Sequence, residues 1–303
     1  MKVYELIIIG AGPAGITAAV YAARKKIDFL VITKDIGGQA ALSWEIENYT
    51  GYQFISGPEL VEKFEEHLKK FDILLKENEE VIELKKEADI VYVKTNKNTY
   101  QSRTVIIASG KRSRELNVKG EKEFKNRGLT YCATCDGPLF KDKVVAVIGG
   151  GNSALDAALQ LMKIAKHVYI INNTQKLGGD AIMREKVENS SVVSIFNNSF
   201  VEEIIGEKMV KAVKINIDGE QKIVPVEGVF VEIGLIPNSD FAIDVEKNQL
   251  KEIKVNSKNE TNIAGIFAAG DVTDITEKQI IIAAGEGAKA LLSCFRYLSQ
   301  NKF

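Results

Sequence analysis

The sequence predicts an α/β protein with two Rossmann-like, doubly wound, three-layer dinucleotide-binding domains. The main observation is a repeat: a β-branched strand, a glycine-rich turn and an alanine-rich helix begin at Val3 and again at Lys143. A second strand follows in each copy, at Phe29–Thr33 and at Val168–Asn172. Aligned by their turns, the two copies match Gly10 with Gly149, Gly12 with Gly151 and Gly15 with Ala154.

Each glycine of the turn has a physical role. The first allows the tight turn after the strand, the second lets the backbone approach a pyrophosphate, and the third lets the helix pack closely against the strand. The pyrophosphate would lie on the amides of the helix N-terminus. A glycine turn with a purely structural role is the alternative, but the complete strand–turn–helix–strand context favours dinucleotide binding at the first copy.

The remaining pattern indicates two interleaved domains. An apolar face with helical spacing predicts a helix over 56–71, and a second helix is expected from Gln279 to Leu298. Residues 73–107 and 200–233 alternate like antiparallel strands, the latter with a turn at Asp218-Gly219. A buried strand is expected at Gly265–Asp271, where it ends in an acid.

Composition excludes several classes of protein. The chain has 303 residues, enough for about two domains, and is 45% hydrophobic and 27% charged. A net charge of −1 gives no electrostatic case for binding nucleic acid or a membrane surface. No apolar run approaches the length of a membrane span, and Met1–Glu5 shows no signal-peptide pattern. Three cysteines do not form a secreted disulfide scaffold, so a cytoplasmic location is expected.

The segment Cys132-Ala133-Thr134-Cys135-Asp136 is the strongest chemical motif. A CxxC can be a redox pair, half of a zinc site or a coincidence. Zinc would need two more ligands, and the only other candidates are Cys294, His67 and His167, without a second paired motif. No metal site is therefore expected, and Cys294 is interpreted as a buried apolar residue. A redox pair needs a thiolate, and the CxxC arrangement lowers a thiol pKa from about 8.5 toward 7.

These motifs together resemble the low-molecular-weight thioredoxin reductase family over essentially the whole chain. The resemblance depends on Gly10–Gly15, Gly37-Gly38-Gln39, Glu47–Gly51, Ala108-Ser109-Gly110, Cys132–Pro138 and Ala269-Gly270-Asp271. It implies FAD as cofactor, thioredoxin as partner and a homodimer formed through the FAD domains. It also implies a discontinuous FAD-binding domain, 1–112 and 240–303, and an inserted NAD(P)H-like domain, 113–239, that carries the CxxC. The implied hinges are residues 111–113 and 234–238.

The resemblance assigns the FAD contacts to particular residues. The pyrophosphate would be held by the first fingerprint, and Asp271 would accept hydrogen bonds from the ribityl hydroxyls. The assigned residues are Gly10, Gly12, Pro13, Ala14, Gly15, Gly38, Gln39, Asn48, Ala108, Gly110, Asp271, Lys278, Gln279 and Ile280. Two departures stand out: Thr33-Lys34 replaces an acid at the end of the second strand, as is frequent in this family, and Lys278-Gln279-Ile280 replaces Arg-Gln-Ala beside the flavin.

The resemblance also assigns the roles at the dithiol. Cys135 would face the flavin and accept its electrons, and Cys132 would attack the partner disulfide. Asp136 would manage the thiol proton as an acid or base, and a helix N-cap is its alternative role.

The electron donor is where the sequence departs from the NADPH-dependent members. The basic residues that bind the 2′-phosphate are replaced by Asn172, Asn173, Thr174 and Gly178. Charge-assisted hydrogen bonds contribute about 1.5–3 kcal/mol each, so NADPH binding would be greatly weakened. NADH would prefer an acid on its ribose, although Asn172 could bond one hydroxyl.

The chain is therefore also similar to the pyridine-nucleotide-independent branch, the ferredoxin-dependent flavin thioredoxin reductases. A ferredoxin near −400 mV lies well below thioredoxin at about −270 mV and can reduce it. The candidate basic docking segments are 24–26 and 111–114. An NADH- or NADPH-dependent reductase remains the alternative, and a redox-sensing flavoprotein without thioredoxin turnover is the alternative of another class. A ferredoxin–NADP reductase would lack the CxxC.

Overall fold

The computed structural model describes residues 2–42, 46 and 48–301, which fall into two compact units. Glu47, which opens one of the motifs of the resemblance, lies outside the described residues. Unit 1 contains Met1–Leu42, Glu47–Arg112 and Ile236–Phe303, and unit 2 contains Ser43–Ile46 and Ser113–Leu235. Both contain a parallel sheet of the dinucleotide-binding type, which confirms the predicted α/β class.

The helices and strands are numbered in chain order. The helices are α1 Pro13–Arg24, α2 Gly57–Lys69, α3 Glu121–Phe124, α4 Ala133–Asp136, α5 Asn152–Leu161, α6 Ala181–Glu188 and α7 Ile280–Gln300. The strands of the first half are β1 Val3–Ala11, β2 Phe29–Ile36, β3 Leu74–Lys76, β4 Val81–Glu87, β5 Ile90–Thr95, β6 Thr99–Ile107, β7 Lys111–Ser113 and β8 Leu129–Thr130. The later strands are β9 Val144–Ile148, β10 His167–Ile171, β11 Val193–Phe196, β12 Ser199–Gly206, β13 Val210–Ile217, β14 Glu220–Pro225, β15 Gly228–Val231, β16 Leu235–Pro237 and β17 Ile266–Ala268.

Unit 1 is built on a seven-stranded sheet in the order β3-β2-β1-β6-β5-β4, with β17 also paired to β6. Strands β1, β2, β3, β6 and β17 pair in parallel, and β4, β5 and β6 form an antiparallel meander. The run Leu6–Ile9 in β1 is buried because helices cover one sheet face and the segment 242–253 covers the other. The sheet therefore presents the carboxyl ends of several parallel strands at one edge.

Unit 2 repeats this plan on a smaller scale. Its parallel sheet has the order β11-β10-β9-β15-β8, and β12, β13 and β14 form a separate antiparallel sheet. One apolar cluster joins α5 to the parallel sheet, and a second cluster joins that sheet to the antiparallel one. The predicted turn is present: Asp218 and Gly219 both have positive φ, 51° and 96°, as a two-residue hairpin turn requires.

Two predicted helices are found with small differences at their ends. Helix α2 begins after Ser56, which forms a capping box with Glu59. The C-terminal helix α7 begins at Ile280, one residue after Gln279, and continues to Gln300. In the described part of the chain no helix is both long and apolar enough to cross a bilayer.

Candidate functional site

Four neighbouring parallel strands of unit 1 end at the same edge of its sheet. These strands are β2, β1, β6 and β17, and each is followed at once by glycine or alanine. The segments at these strand ends are Gly37-Gly38, Gly10–Gly12, Ala108–Gly110 and Ala269–Asp271. The fold thus brings together most of the residues that the resemblance assigned to FAD.

Two glycines of the first fingerprint are required by close backbone approaches. A Cβ on Gly10 would lie 2.4 Å from the carbonyl oxygen of Ala108, and Gly10 also has a positive φ of 102°. A Cβ on Gly15 would lie 1.9 Å from the carbonyl oxygen of Gly10. No side chain fits at these contacts, because real Cβ atoms do not approach so closely.

Gly12 and Gly38 differ, because a Cβ at either position would make only an ordinary van der Waals contact. The nearest atom to a Cβ on Gly12 would be the oxygen of Gly37, at 4.0 Å, and a Cβ on Gly38 would lie 3.6 Å from the Gly12 Cα. Gly12 is also the N-cap of α1 and makes no side-chain cap, and Pro13 opens the helix. The turn therefore forms a cradle over a helix N-terminus, as a pyrophosphate needs.

The N-terminus of α7 lies in the same unit and is also uncapped. Its N-cap is Gln279, whose side chain makes no cap hydrogen bond but accepts one from the Asn48 amide at 3.1 Å. Gln39, from the segment after β2, donates to the carbonyl oxygen of Lys111 at 2.6 Å. The α7 amides thus remain without a side-chain acceptor from the N-cap.

Asp271 is half-buried and has no hydrogen-bond donor among the described residues. Burial raises the pKa of its carboxyl group, although the charges of Lys278 and Lys111 oppose the shift. A carboxylate that is partly removed from water and has no donor needs hydrogen bonds from a ligand or solvent. Ribityl hydroxyls are donors of the required kind.

A buried ion cluster adjoins this carboxylate. The ammonium groups of Lys111 and Lys278 both approach Glu252, the second at 3.4 Å. Lys278 also donates to the carbonyl oxygen of Thr273 at 2.7 Å. Burial, followed by the charge of Lys111, lowers the pKa of Lys278.

This cluster removes Lys111 from the predicted basic docking segment 111–114, whereas Arg112 and Arg114 of that segment are exposed. Lys111 is 8% exposed and hydrogen-bonds to Glu252. Its charge is therefore neutralised inside unit 1 instead of being presented to an acidic partner. The sequence could not show this, because Glu252 lies far along the chain.

The residues of this edge fit FAD. They offer an open glycine cradle on the N-terminus of α1, a second uncapped helix N-terminus at α7, and the donor-free carboxylate of Asp271. The glycine cradle suits a pyrophosphate, and the Asp271 carboxylate suits sugar hydroxyls.

In unit 2, Cys132 and Cys135 form a disulfide across a Cα–Cα distance of 5.3 Å. Cys132 is the N-cap of α4, and its sulfur accepts a hydrogen bond from the Cys135 amide at 3.2 Å. The two cysteines of the CxxC are therefore in the oxidised, disulfide-bonded state, at the start of the short helix α4.

Thr130 connects Asp136 to this disulfide, a role that sequence reasoning missed. Its hydroxyl donates to the carboxylate of Asp136 and accepts from the Cys132 amide at 3.2 Å. Asp136 is buried at 5% exposure, and its side chain makes no cap hydrogen bond to the following turn. The geometry is that of a buried carboxyl group held beside a redox pair, and not of a helix N-cap.

Glu232 is a second carboxyl group at this place, and it too was missed. It follows β15 directly, and one carboxylate oxygen accepts from the Ala133 amide at 3.3 Å. Burial raises the pKa of Glu232 to about 8, against the effect of the Ala133 hydrogen bond and with a smaller contribution from Asp156. No motif signals this residue, since a lone Glu after a strand is common.

The second fingerprint has the expected turn but not the expected ribose site. Asn172 is 1% exposed, and its amide nitrogen donates to Thr174 and Asn197 at 3.1 and 2.8 Å. Its side-chain oxygen accepts from the amide and the hydroxyl of Thr174 at 3.3 and 3.0 Å. Both donors of this side chain are therefore used, and its oxygen accepts from the Thr174 amide and competes with the Lys176 carbonyl oxygen for the Thr174 hydroxyl hydrogen. The Gly178 amide donates to Gly150 in the turn itself, at 2.8 Å.

The third cysteine lies outside both sites. Cys294 is fully buried in α7 and donates to the Thr104 hydroxyl at 3.2 Å. Burial raises the pKa of its thiol to about 12, so it remains protonated and unreactive. The described ranges contain no group of three or more His, Cys, Asp or Glu side chains that could hold a metal ion.

Comparison with known proteins establishes the family. Residues 4–287 match the family described as pyridine nucleotide-disulphide oxidoreductase, and the chain belongs to it. The chain is a thioredoxin reductase-like member of this family, and its cofactor is FAD.

Individual relatives refine this picture. A thioredoxin reductase from Streptococcus pyogenes has a similar structure, with a TM-score of 0.92, 36% identity and 99% of each chain covered. An "NADH dehydrogenase" from Bacillus subtilis is 40% identical over 98% of this chain and 59% of its own length. A component of the alkyl hydroperoxide reductase of Pseudomonas putida is 41% identical over 98% of this chain and 58% of its own length. The chain thus spans about three-fifths of the curated relatives that it matches.

Proposed function

We propose that this protein reduces the disulfide of thioredoxin through the Cys132–Cys135 pair. The observation that carries this proposal is the paired CxxC, held at a helix start and joined through Thr130 to the buried carboxyl group of Asp136. Bound FAD would supply a store of two electrons. The similarity to a thioredoxin reductase over the whole chain supports thioredoxin as the partner.

The reaction at the cysteines follows from thiol–disulfide exchange. The Cys132 thiolate attacks one sulfur of the partner disulfide, which forms a mixed disulfide and releases the other partner sulfur as a thiolate. Cys135 then attacks the Cys132 sulfur, which releases the second partner thiolate and restores the Cys132–Cys135 disulfide. The two partner thiolates take up the two protons that the cysteines lose, and Asp136 holds the proton that is in transit.

Substitution of each cysteine tests the proposal. We expect Cys132→Ser and Cys135→Ser each to lose thioredoxin reduction to the background level, measured as free thiols formed in thioredoxin. Cys294→Ala is the matched control and should retain turnover, because that thiol is buried and protonated. Normal turnover by the Cys132→Ser variant would overturn its role as the attacking thiol. Absence of turnover in the unmodified protein would favour a redox-sensing role.

For the electron donor, the geometry of the second fingerprint supports a reduced ferredoxin. NADPH would need cations that residues 172–174 and 178 do not supply. NADH would need an acceptor for the ribose hydroxyls, and the Asn172 side chain is buried and hydrogen-bonded to Thr174 and Asn197. A one-electron donor needs neither group, because flavin can take up electrons singly.

NADH is the second candidate, because the relative from Bacillus subtilis is named an NADH dehydrogenase. Anaerobic titration of the FAD-loaded protein separates the donors by the loss of oxidised flavin absorbance. We expect reduced ferredoxin to bleach the flavin rapidly and NADPH to do so least. Rapid and complete bleaching by NADH would overturn the ferredoxin proposal while leaving the disulfide chemistry intact.

The resemblance to thioredoxin reductases also supports a homodimer formed through the FAD-binding unit and domain boundaries near residues 112 and 240. Analytical ultracentrifugation tests the dimer. A monomer at micromolar concentration would overturn it.

A further inference from the structure

Glu232 lies between the disulfide and the second glycine turn because of the order of the strands. Strands β8, β15 and β9 are parallel neighbours, so their carboxyl ends meet at one edge. Strand β8 leads to the CxxC, and β9 leads to Gly149. Glu232 follows β15, the strand between them. The Glu232 amide donates to Ile148 at 2.8 Å, which fixes its backbone.

The side chain contacts the backbone of the CxxC segment. Its carboxylate accepts the amide hydrogen of Ala133, the residue that directly follows Cys132. The acidic group that acts on it is Asp156 on α5. No lysine, arginine or histidine contributes to its electrostatic surroundings among the described residues.

We propose that Glu232 is a positioning residue of the dithiol whose proton tunes the reducing power of the Cys132–Cys135 pair. In its neutral form Glu232 adds no charge beside the cysteines. In its ionised form it opposes the thiolate that reduction creates, so the disulfide becomes harder to reduce and the dithiol becomes a stronger reductant. The proposal rests on the proposed function, since it requires that the disulfide opens and closes.

The number of protons taken up on reduction sets how the midpoint potential of the cysteine pair depends on pH. Reduction breaks the S–S bond and takes two electrons, supplied by dithiothreitol in the experiment below, and up to two protons. When Glu232 starts ionised, its carboxylate takes up one further proton as the thiolate forms next to it. Because the ionisation of Glu232 falls near pH 8, the midpoint potential of the pair should fall more steeply with pH above that value than below it.

The experiment equilibrates the FAD-loaded full chain in dithiothreitol redox buffers at pH values on both sides of 8. Free thiols are counted by alkylation and mass spectrometry, and the flavin state is followed by absorbance. We expect the plot of potential against pH to bend near pH 8 in the unmodified protein and to lose the bend in Glu232→Gln. The glutamine oxygen still accepts the Ala133 amide, so the local fold is retained.

Glu227→Gln is the matched control. Glu227 precedes β15 as Glu232 follows it, and its carboxylate also accepts a backbone amide, that of Val144, at 3.2 Å. It lies at the opposite edge of the same sheet, so Glu227→Gln should retain the bend. Asp156→Asn leaves Glu232 in place but removes a nearby negative charge, and it should move the bend to lower pH.

The experiment distinguishes a failure of the role of Glu232 from a failure of the proposed thioredoxin reduction. A bend that persists in Glu232→Gln, or one that disappears equally in Glu227→Gln, would overturn the role of Glu232 while thioredoxin reduction continues. A disulfide that never opens in these buffers would overturn the proposed function and, with it, this inference. A bend that Asp156→Asn leaves unmoved would show that another group titrates there.

Discussion

Glu252 is the shared partner of the two lysines in the buried ion cluster of unit 1. Its carboxylate receives two buried ammonium groups, Lys111 and Lys278, and the Asn248 amide at 2.5 Å. Burial opposes its ionisation, but the hydrogen bonds from Lys111 and Asn248 and the Lys278 charge hold the pKa of Glu252 below its ordinary value. Removing this one charge would leave two buried cations without their shared partner.

We therefore expect Glu252→Gln to lower the free energy of unfolding by about 3 kcal/mol, the typical cost of breaking a buried ion pair. Urea denaturation monitored by circular dichroism measures it. Glu246→Gln, which breaks the exposed pair with Lys254 at 2.7 Å, is the control and should have a much smaller effect. Equal effects of the two substitutions would contradict the role assigned to Glu252.

Glu232 gives unfolding a pH dependence of opposite sign to that of most carboxyl groups. Its pKa is about 8 in the folded protein and about 4.3 in the unfolded chain. Between these values the folded state binds more protons, so stability decreases as pH rises from the lower to the upper value. Denaturation at a series of pH values should show this decrease in the oxidised protein, and Glu232→Gln should show a flatter profile. Identical profiles would argue against a buried, protonated Glu232.

At the scale of residues, the sequence predicted the groups that carry their own motif. The cysteines, Asp136 and the fingerprint glycines belong to short continuous patterns. Thr130, Glu232 and the buried state of Lys111 could not be predicted, because their partners come from segments brought together only by strand order. A polar residue at the end of a strand has no signal until its neighbouring strand is known.

At the scale of elements, the two glycine turns look alike in sequence but differ in how closely their helices pack. A Cβ on Gly15 would meet the Gly10 oxygen at 1.9 Å. The matching residue of the second turn is already an alanine, Ala154, whose side chain is buried in its unit. The first helix therefore begins closer to its turn than a side chain allows.

This difference predicts that the first turn does not tolerate an added methyl group, whereas the second turn already contains one. We expect Gly15→Ala to displace the start of α1 and to abolish FAD binding, measured as flavin absorbance per chain after purification. Ala154→Gly, the reverse change in the second turn, should leave the FAD content unchanged. A Gly15→Ala variant with a full complement of FAD would contradict the assignment of the first turn to the pyrophosphate.

The sequence predicted the long helices but not the shortest helices and strands. The helices over 56–71 and 279–298 were found because their apolar spacing and caps agree with the tertiary structure. Short elements were not predicted: α4 has four residues, and β7 and β16 have three each. Elements of this length are held by contacts with distant segments, so local periodicity cannot reveal them.

At the scale of the whole molecule, each unit has its own apolar cores and its own parallel sheet. FAD is assigned to unit 1 only. A ligand that binds the native state stabilises what it binds, by about 2.7 kcal/mol at one hundred times its dissociation constant.

We therefore expect FAD added to the apoprotein to protect one unit selectively. Hydrogen exchange followed by mass spectrometry should show slower exchange in peptides covering Val3–Ala11 and unchanged exchange in peptides covering Val144–Ile148. Equal protection of both peptides would show that the units do not unfold independently, or that FAD contacts both.

The short strands β7 and β16 pair with each other where the chain leaves unit 1 and returns to it. Just beyond them the Arg114 amide donates to the Gly234 carbonyl at 3.0 Å, so the two ends of the insertion are hydrogen-bonded neighbours. A segment whose ends are adjacent can be gained, lost or exchanged as one cassette without altering the path of the host chain. The same adjacency makes residues 114 and 234 the natural splice points for grafting a different redox module onto this flavin-binding unit.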